Sequence, residues 1–471
     1  MARKEPIRAV KGMRDILPPE SALWNHIEET ARQVFRSYAY QEIRTPLVEP
    51  TELFARGVGT DTDIVTKEMY TWEDWRRPLS KTGGFVSAAE LMSDEDAGQS
   101  LTLRPEATAS VIRSYIENHL EQRPGVKKFY YIGPMFRRDR PQKGRFRQFY
   151  QIGAEAIGSE SPGLDAEIIE IIWELLNQLT PGGFTVRLNS VGDKECRPRY
   201  LAALREKLAK VRSQLCIDCQ RRSETNPLRV LDCKVPADQP IITQLPTVQE
   251  FLCQPCSAHF QKVQEYLRDR GVQFVFDPRL VRGLDYYTRT AFEFVDGSLG
   301  AQNAIAGGGR YDGLAENLGG PSAPGIGFSI GEDRLVLSLL ENTLQTPLVA
   351  APSKPLFVAW LGESAYKEAV RIAREIRMYP GPFREHLSVY IPPDAAKLSK
   401  MLELASRLDC RWVLMIGDRE LAEGKYLLRD METKEQFYLT EPELLGRLPQ
   451  LIPSFDQNIF TPEQWRDKFR G

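Results

Sequence analysis

Two strand-length runs, KKFYYIGPMF (127–136) and RQFYQIGAEAIG (147–158), flank the stretch FRRDRPQKGRFR (136–147). They read as the arms of one long antiparallel hairpin, with the basic stretch as its connection. That stretch holds six Lys or Arg and one acid in twelve residues, whereas the chain has 62 Lys plus Arg, 64 Asp plus Glu and a net charge of -2. The molecule is therefore no polycation, and any nucleic-acid contact must come from local patches. Arg137 directly follows Phe136 at a strand end, where a guanidinium can fork onto a phosphate or carboxylate held against the sheet. Arg140, Gln142 and Lys143 lie nearer the tip and are expected to reach outward. The bland alternative is a solvated loop.

At 471 residues and 42% apolar composition the chain predicts two or three domains. It contains no run of 18 apolar residues, and the start MARKEPIRAVKGMRDILPPE carries acids and prolines where a signal or transit peptide would not. A cytoplasmic protein without membrane contact is expected. Five of the seven cysteines fall between Cys216 and Cys256, which suits reduced thiols or a metal site better than a disulfide framework.

Leu23, Trp24, Ile27, Ala31, Val34 and Phe35 predict a helix over 19–38, followed by an edge strand in QEIRTPLVEP. Residues 71–100 break periodicity and predict a mobile surface insertion. LTLRPEAT predicts a strand ending at Arg104 and a helix starting near Pro105. From Asp193 to Arg270 the chain turns helical and Cys-bearing, so it reads as a domain inserted into a sheet that resumes at Gly271. After the Pro-rich TPLVAAPSKP, alternating strands and helices imply a separate doubly wound α/β domain.

Several motifs carry chemistry. Glu106 and Thr108 stand at a helix start, where capping by an acid is the simplest role. Tyr286 and Tyr287 are consecutive, so strand geometry would send them to opposite faces, one toward a pocket. NAIAGG reads as a strand, AGGGRYDG lacks the ending of a phosphate loop and reads as a tight turn onto a helix, and GIGFSIG has the wrong spacing for a dinucleotide site. Arg334 sits in a helix's first turn, which suggests an anion nearby or pairing with Glu332 or Asp333. Cys216, Cys219, Cys253 and Cys256 form two Cys-x-x-Cys pairs suited to one structural zinc, with Cys233 as a spare ligand; the alternative is buried reduced thiols.

Taken together, KGMRDILPPE, LVEPTELFARGVGTDTDIVTKEMY, LTLRPEAT, the basic hairpin, RGLDYYTRTAFEF and PGIGFSIGEDRL resemble the histidyl-tRNA synthetases, a family of class II aminoacyl-tRNA synthetases. The resemblance covers most of the chain. It implies an α+β catalytic domain with an antiparallel sheet flanked by helices (1–192 and 271–345), a small helical insertion domain (193–270), a linker (346–355), a C-terminal α/β anticodon-binding domain (356–450) and a tail (451–471). It also implies a homodimer built partly around TPLVEP. The substrates would be L-histidine, ATP with Mg²⁺, and histidine tRNA. Arg282, Arg137 and Arg334 would be catalytic, and Arg137, Arg145 and Arg334 would hold ATP. Glu106, Ala107, Thr108, Gln151, Glu155, Tyr286 and Tyr287 would form the histidine pocket. Arg140, Gln142 and Lys143 would meet the tRNA. Ala107 departs from the glycine common at its position in the family.

Two other readings are open to the sequence. One is a non-catalytic paralogue that regulates the ATP phosphoribosyltransferase of histidine biosynthesis. Such proteins tend to lose the catalytic arginines, whereas Arg137, Arg282 and Arg334 are kept here. The other is a plain RNA-binding module, which explains the basic loop but not the set of Glu155, Tyr286 and Tyr287.

Overall fold

The computed structural model describes residues 6–18, 20–59, 62–74, 99–179, 183–282, 286–297, 303–341, 349–350, 354–380, 388–451 and 459–460. Two compact units divide the chain, Met1–Leu344 and Gln345–Gly471. In chain order the strands of the first unit are β1 (Gln41–Glu42), β2 (Val48–Pro50), β3 (Tyr70–Asp74), β4 (Gln99–Leu103), β5 (Lys127–Phe136), β6 (Gln148–Ile157), β7 (Thr185–Ser190), β8 (Val275–Phe276), β9 (Thr288–Val295), β10 (Ala304–Arg310) and β11 (Gly325–Gly331). Its α-helices are α1 (Glu20–Ser37), α2 (Thr51–Val58), α3 (Thr108–Glu117), α4 (Pro162–Leu179), α5 (Cys196–Val211), α6 (Ile217–Thr225), α7 (Gln239–Ile242), α8 (Gln254–Asp269), α9 (Leu314–Asn317) and α10 (Glu332–Glu341).

Eight strands form one sheet in the order β1-β5-β6-β11-β10-β9-β7-β8. The six inner strands pair antiparallel, and a short parallel strand closes each edge. The hairpin β5–β6 pairs from Lys127 opposite Ile157 to Phe136 opposite Gln148. Residues 71–100 differ from the expected loop at both ends, because β3 and β4 pair from Tyr70 opposite Leu103 to Asp74 opposite Gln99. TWED is exposed along its whole length, so no alternation marks it as a strand. The middle of that segment lies outside the described residues.

Period 2 gives the large sheet two different faces. Ile152, Ala154, Ala156, Phe292, Phe294, Ile326, Phe328 and Ile330 are buried on one of them. Phe35 of α1 stacks on Phe328 there, and α4 packs along β6, β10 and β11. The α4 sequence, PGLDAEIIEIIWELLNQL, is apolar around most of its circumference, and its isoleucines are all fully buried. A helix of that composition must be covered on several sides, and α1, α8 and the sheet cover it.

Within this apolar layer sits a buried charge network. Asp165 of α4 accepts from Arg310 Nη2 at 2.5 Å and Nε at 3.1 Å, from His259 of α8 at 2.8 Å and from Thr290 Oγ1 of β9 at 2.6 Å. Burial alone would push the Asp165 carboxyl up, but the hydrogen bond from His259 and the Arg310 charge hold it below its ordinary value. Arg310 completes its donors on the carbonyl of Ser159 and on Asp312, both at 2.9 Å.

The second unit carries a five-stranded sheet in the order Val389–Tyr390, Leu356–Trp360, Trp412–Ile416, Tyr426–Asp430 and Gln436–Leu439. The first three strands are parallel and the last two antiparallel, so the α/β sheet is mixed. Leu356–Trp360 is buried throughout, as a central parallel strand must be.

Arg310→Met should destabilise the first unit by about 3–5 kcal/mol, because Asp165 would keep a buried charge without its main partner. Urea unfolding followed by tryptophan fluorescence checks this, and a wild-type midpoint would contradict it. Since the folded Asp165 pKa is depressed, the stability it contributes is present above the unfolded carboxylate pKa and is lost as pH falls through the folded one.

Candidate functional site

The other face of the sheet is floored by glycine. Gly307 and Gly309 of β10 pair with Ser329 and Gly327 of β11, and Glu155, Gly153 and Gln151 of β6 lie opposite Gly327, Ser329 and Gly331. Large side chains lie flat over this floor. A methyl group on Gly307 would come within 2.5–2.6 Å of the Arg282 guanidinium, one on Gly309 within 2.8 Å of the Tyr287 ring, and one on Gly327 would collide with the Glu155 carboxylate. The strand expected at NAIAGG runs on to Arg310, the expected turn onto a helix follows at Asp312–Gly313 before α9, and the glycines of the strand leave room for a site. Above them opens a cleft of about 590 Å³, in the range of small-molecule sites.

Of the residues singled out from sequence, Glu106, Thr108, Arg137, Arg145, Gln151, Arg282, Tyr286, Tyr287 and Arg334 line this cleft. Glu106 does so as a helix cap: its carboxylate accepts from the amides of Thr108 at 2.8 Å and Ala109 at 2.9 Å. That cap is why α3 starts at Thr108, three residues later than expected. Ala107 does not line the cleft, and its side chain is buried in the apolar cluster with Val111 and Tyr115. Glu155 lies just beneath the cleft, fully buried, and accepts from the hydroxyls of Thr108 and Tyr311, each at 2.7 Å. Gln151 donates to Ser329 at 3.3 Å, while its amide oxygen is buried with no hydrogen-bond partner among the described residues.

Tyr286 and Tyr287 do not split between faces. They precede β9 in irregular backbone, so strand alternation does not apply, and their rings meet with centroids 4.8 Å apart at 54°. Tyr311, edge-on to Tyr286 at 6.0 Å, belongs to the same aromatic wall. Its place just before the Asp312–Gly313 turn gives no sequence sign that it faces a pocket. Tyr131, Glu68, Glu293 and Ser329 also line the cleft and were missed. Alternation along β5, β9 and β11 was the signal for three of them.

The arginines are held by backbone oxygens and carboxylates. Arg137 Nε donates to the Pro105 carbonyl at 3.0 Å, and its guanidinium lies over Phe149 at 5.3 Å. Arg334 donates to the carbonyls of Ala304 at 2.9 Å and Gly144 at 3.4 Å rather than to Glu332 or Asp333. Arg145 pairs with Asp139 at 2.8 Å, and Arg282 with Glu293. Burial lowers the pKa of Arg137 and Arg334, and at Arg334 the charges of Arg145 and Arg137 lower it further. Arginine does not respond by deprotonating, so Arg137, Arg145 and Arg334 gather like charge on this side of the cleft, which favours a polyanion. At Arg282 burial lowers and Glu293 raises, and the net direction is up. Arg140, Gln142 and Lys143 are exposed on the hairpin loop, which turns back through a bridge between Gln142 and Arg145.

The four cysteines expected to form one tetrad do not come together. Cys216 and Cys219 group with Cys233 and Asp238, while Cys253 and Cys256 group with Asp193 and Cys196. Spacing in sequence reveals the pairs but not which pairs meet.

A profile of the histidyl-tRNA synthetase family matches residues 82–193 and 235–335. Among curated proteins, the chain is 55% identical over 443 residues to a histidine–tRNA ligase of Solibacter usitatus, covering 94% of this chain and 99% of that one. It is 50% identical over 447 residues to one of Koribacter versatilis, covering 93% and 95%. Among solved structures, apo S. aureus histidyl-tRNA synthetase superposes with a TM-score of 0.72 at 33% identity, covering 94% of this chain and all of that one. These near-full-length likenesses favour the ligase over the regulatory paralogue.

The Glu155 carboxyl is raised from its ordinary 4.5 to about 8, chiefly by burial, with the Thr108 and Tyr311 hydroxyls pulling it down and Glu106 pushing it up. Between these values the folded chain holds a proton that the unfolded chain has released. Stability therefore falls as pH rises through this window and levels off above it. Glu155→Gln abolishes that slope, so between pH 5 and pH 9 the difference in unfolding free energy should move in the variant's favour by up to a few kcal/mol. Urea titrations at several pH values measure this, and a pH-independent difference would contradict it.

Proposed function

Because this chain belongs to the histidyl-tRNA synthetase family, we infer that its cleft joins L-histidine to ATP and passes the product to histidine tRNA. The chain is a histidine–tRNA ligase, an ATP-dependent enzyme. The observation that carries the assignment of the cleft is the meeting, above one glycine floor, of four guanidiniums with a tyrosine wall and an unpartnered amide oxygen.

In the first step a histidine carboxylate oxygen attacks the α-phosphorus of ATP, the bond to the bridging oxygen breaks, and pyrophosphate leaves. In the second, the terminal ribose hydroxyl of the tRNA attacks the adenylate carbonyl and AMP leaves. The carboxylate is already a nucleophile, so the first step asks the protein for positioning and positive charge rather than for a base. Arg137, Arg145 and Arg334 hold the nucleotide's phosphates, and their mutual repulsion is relieved when the anion arrives. Arg282, clamped on Glu293 and resting on Gly307, stands at the reacting carboxylate and α-phosphate. Mg²⁺ suits the cleft's donor chemistry, since Glu68, Asp139 and Glu293 put hard carboxylate oxygens on its walls, and when bound it would neutralise phosphate charge.

Histidine lies against Tyr286 and Tyr287, with its amino group toward Glu106 and Thr108. Gln151 offers its unpartnered oxygen, and Glu155 acts through the Thr108 and Tyr311 hydroxyls to orient polar partners for the imidazole nitrogens. A pocket built on such hydrogen bonds rejects apolar isosteres by a factor on the order of 10⁴. The hairpin tip, with Arg140, Gln142 and Lys143, faces the tRNA acceptor end, and the second unit takes the anticodon. Among the described residues no helix is long and apolar enough to cross a membrane, and we place the enzyme in the cytoplasm with its tRNA.

Two assays separate these roles. Arg282→Ala should slow histidine-dependent ATP–pyrophosphate exchange by about 10²–10³, near 3–4 kcal/mol of barrier. Arg140→Ala combined with Lys143→Ala should leave exchange near wild type but slow tRNA charging and reduce its salt dependence. Unchanged exchange in the first variant, or equal losses in both assays in the second, would overturn these assignments.

The homodimer forms partly through TPLVEP, where Leu47 and Val48, 41% and 40% exposed, stand at the start of a short edge strand. Sedimentation velocity at micromolar protein should show a dimer that Leu47→Glu shifts toward monomer. A monomeric wild type would remove this proposal.

A further inference from the structure

All seven cysteines are free thiols, and six of them fall into two groups of three, each completed by an aspartate. One group is Asp193, Cys196, Cys253 and Cys256, the other Cys216, Cys219, Cys233 and Asp238. Within each, the four donor atoms lie within 4.8 Å of one another. We propose that the helical insertion holds two structural zinc ions, each on three thiolates and one carboxylate.

The donor spacing fits a tetrahedral ion. Zn–S bonds of about 2.3 Å and Zn–O bonds of about 2.0 Å set the ligand edges near ~3.8 Å between sulfurs and ~3.5 Å between sulfur and oxygen. Cys216 and Cys233 Sγ are 4.0 Å apart, and Cys233 Sγ is 3.3 Å from Asp238 Oδ2. Cys196 Sγ is 3.2 Å from Asp193 Oδ1, and Cys253 Sγ is 3.9 Å from Asp193 Oδ2.

The two groups are also built alike. In each, a Cys-x-x-Cys pair opens a helix, with Cys216 at the N-cap of α6 and Cys253 at the N-cap of α8. Main-chain amides then point at the remaining ligands, as they do where sulfur and oxygen carry negative charge. Val235 N–H donates to Cys233 Sγ at 3.4 Å and Cys253 N–H to Cys196 Sγ at 3.1 Å. Cys216 N–H reaches Asp238 Oδ1 at 3.0 Å, and Cys196 N–H reaches Asp193 Oδ1 at 3.1 Å. Among the described residues no Lys, Arg or His pairs with either aspartate, although Asp238 is 1% exposed. A buried carboxylate among three sulfurs lacks a counter-charge that a divalent metal supplies.

Thiolate-rich tetrahedral sets select zinc, and four protein ligands leave no open position, so both ions are structural rather than catalytic. The first ties the start of the insertion to its last helix. The second staples the segment that brings Arg222, Arg229 and Lys234 to the mouth of the cleft. A small core built on Tyr200, Leu204, Leu208, Val230 and Ile242 gains most from such staples. None of this depends on the reaction assigned to the cleft.

The test uses the full chain, reduced, given zinc and then freed of unbound metal by gel filtration. Mass-spectrometric metal analysis should find two zinc ions per chain, and zinc X-ray absorption should give three sulfurs and one oxygen per ion. Cys216→Ser and Cys253→Ser should each lower the content to one. Should either variant fail to fold, the wild-type stoichiometry and coordination decide by themselves. Fewer than two ions per chain, sulfur-only coordination, or disulfides within either group in the untreated protein would overturn the proposal.

Discussion

The buried pair of Asp165 and Arg310 is the interaction on which the first unit's layers depend. It joins residues 145 apart in sequence, and through Thr290 and His259 it ties α4, β9, β10 and α8 at one point. Desolvating both charges is costly, and the pair persists because nearly every lone pair and donor is used. Hydrophobic burial alone would let α4 slide along an apolar sheet face. A four-way charge network permits one position. Because His259 lies on α8 three residues after Cys256, the same network fixes the helix that carries half of the first thiol group.

From that anchored back layer the front of the sheet gains its precision. β9 and β10, held by Thr290 and Arg310, are the strands that present Glu293 and Gly307 to Arg282. One face is filled with isoleucine and phenylalanine under helices, while the other is emptied by glycine at the positions where guanidinium, phenol and carboxylate groups must lie flat. Alternate residues of the same strands serve opposite ends. Bulk behind prevents collapse, and its absence in front makes a cleft with a rigid floor.

Local signals made part of this legible in the sequence. The hairpin was readable because its arms are long and its connection charged, and Arg137 and Arg334 were readable because each marks the end of a regular element. The inner sheet, the C-terminal α/β unit and the helical insertion followed from periodicity and from the family resemblance. What stayed hidden was non-local or depended on an absent side chain. Nothing near RYDG announces that Arg310 will be buried against an aspartate of another helix. A glycine run inside a strand gives no local sign of its use, and only strand pairing shows that it clears space. The tyrosine pair misled because alternation holds in strands and these residues precede one. The cysteine pairs were visible, but the choice between one tetrad and two is set by how α6 and α8 are placed.

The distribution of charge ties these parts together. Arg334 donates to the carbonyl of Gly144, so the helix that follows β11 grips the loop whose outer side chains are Arg140 and Lys143. Arg137, at the base of the same loop, is fixed to Pro105 just before the cap of α3. Carbonyl dipoles at Arg137 and Arg334 and the Asp139 carboxylate at Arg145 thus orient three guanidiniums of like charge. Groups fixed in this way need not reorganise when an anion arrives, which is the condition for electrostatic preorganisation. A chain of net charge -2 can therefore gather guanidiniums at one side of a cleft and cations at a loop tip. Both belong to one hairpin, so an anion that steadies its base also limits where its tip can point.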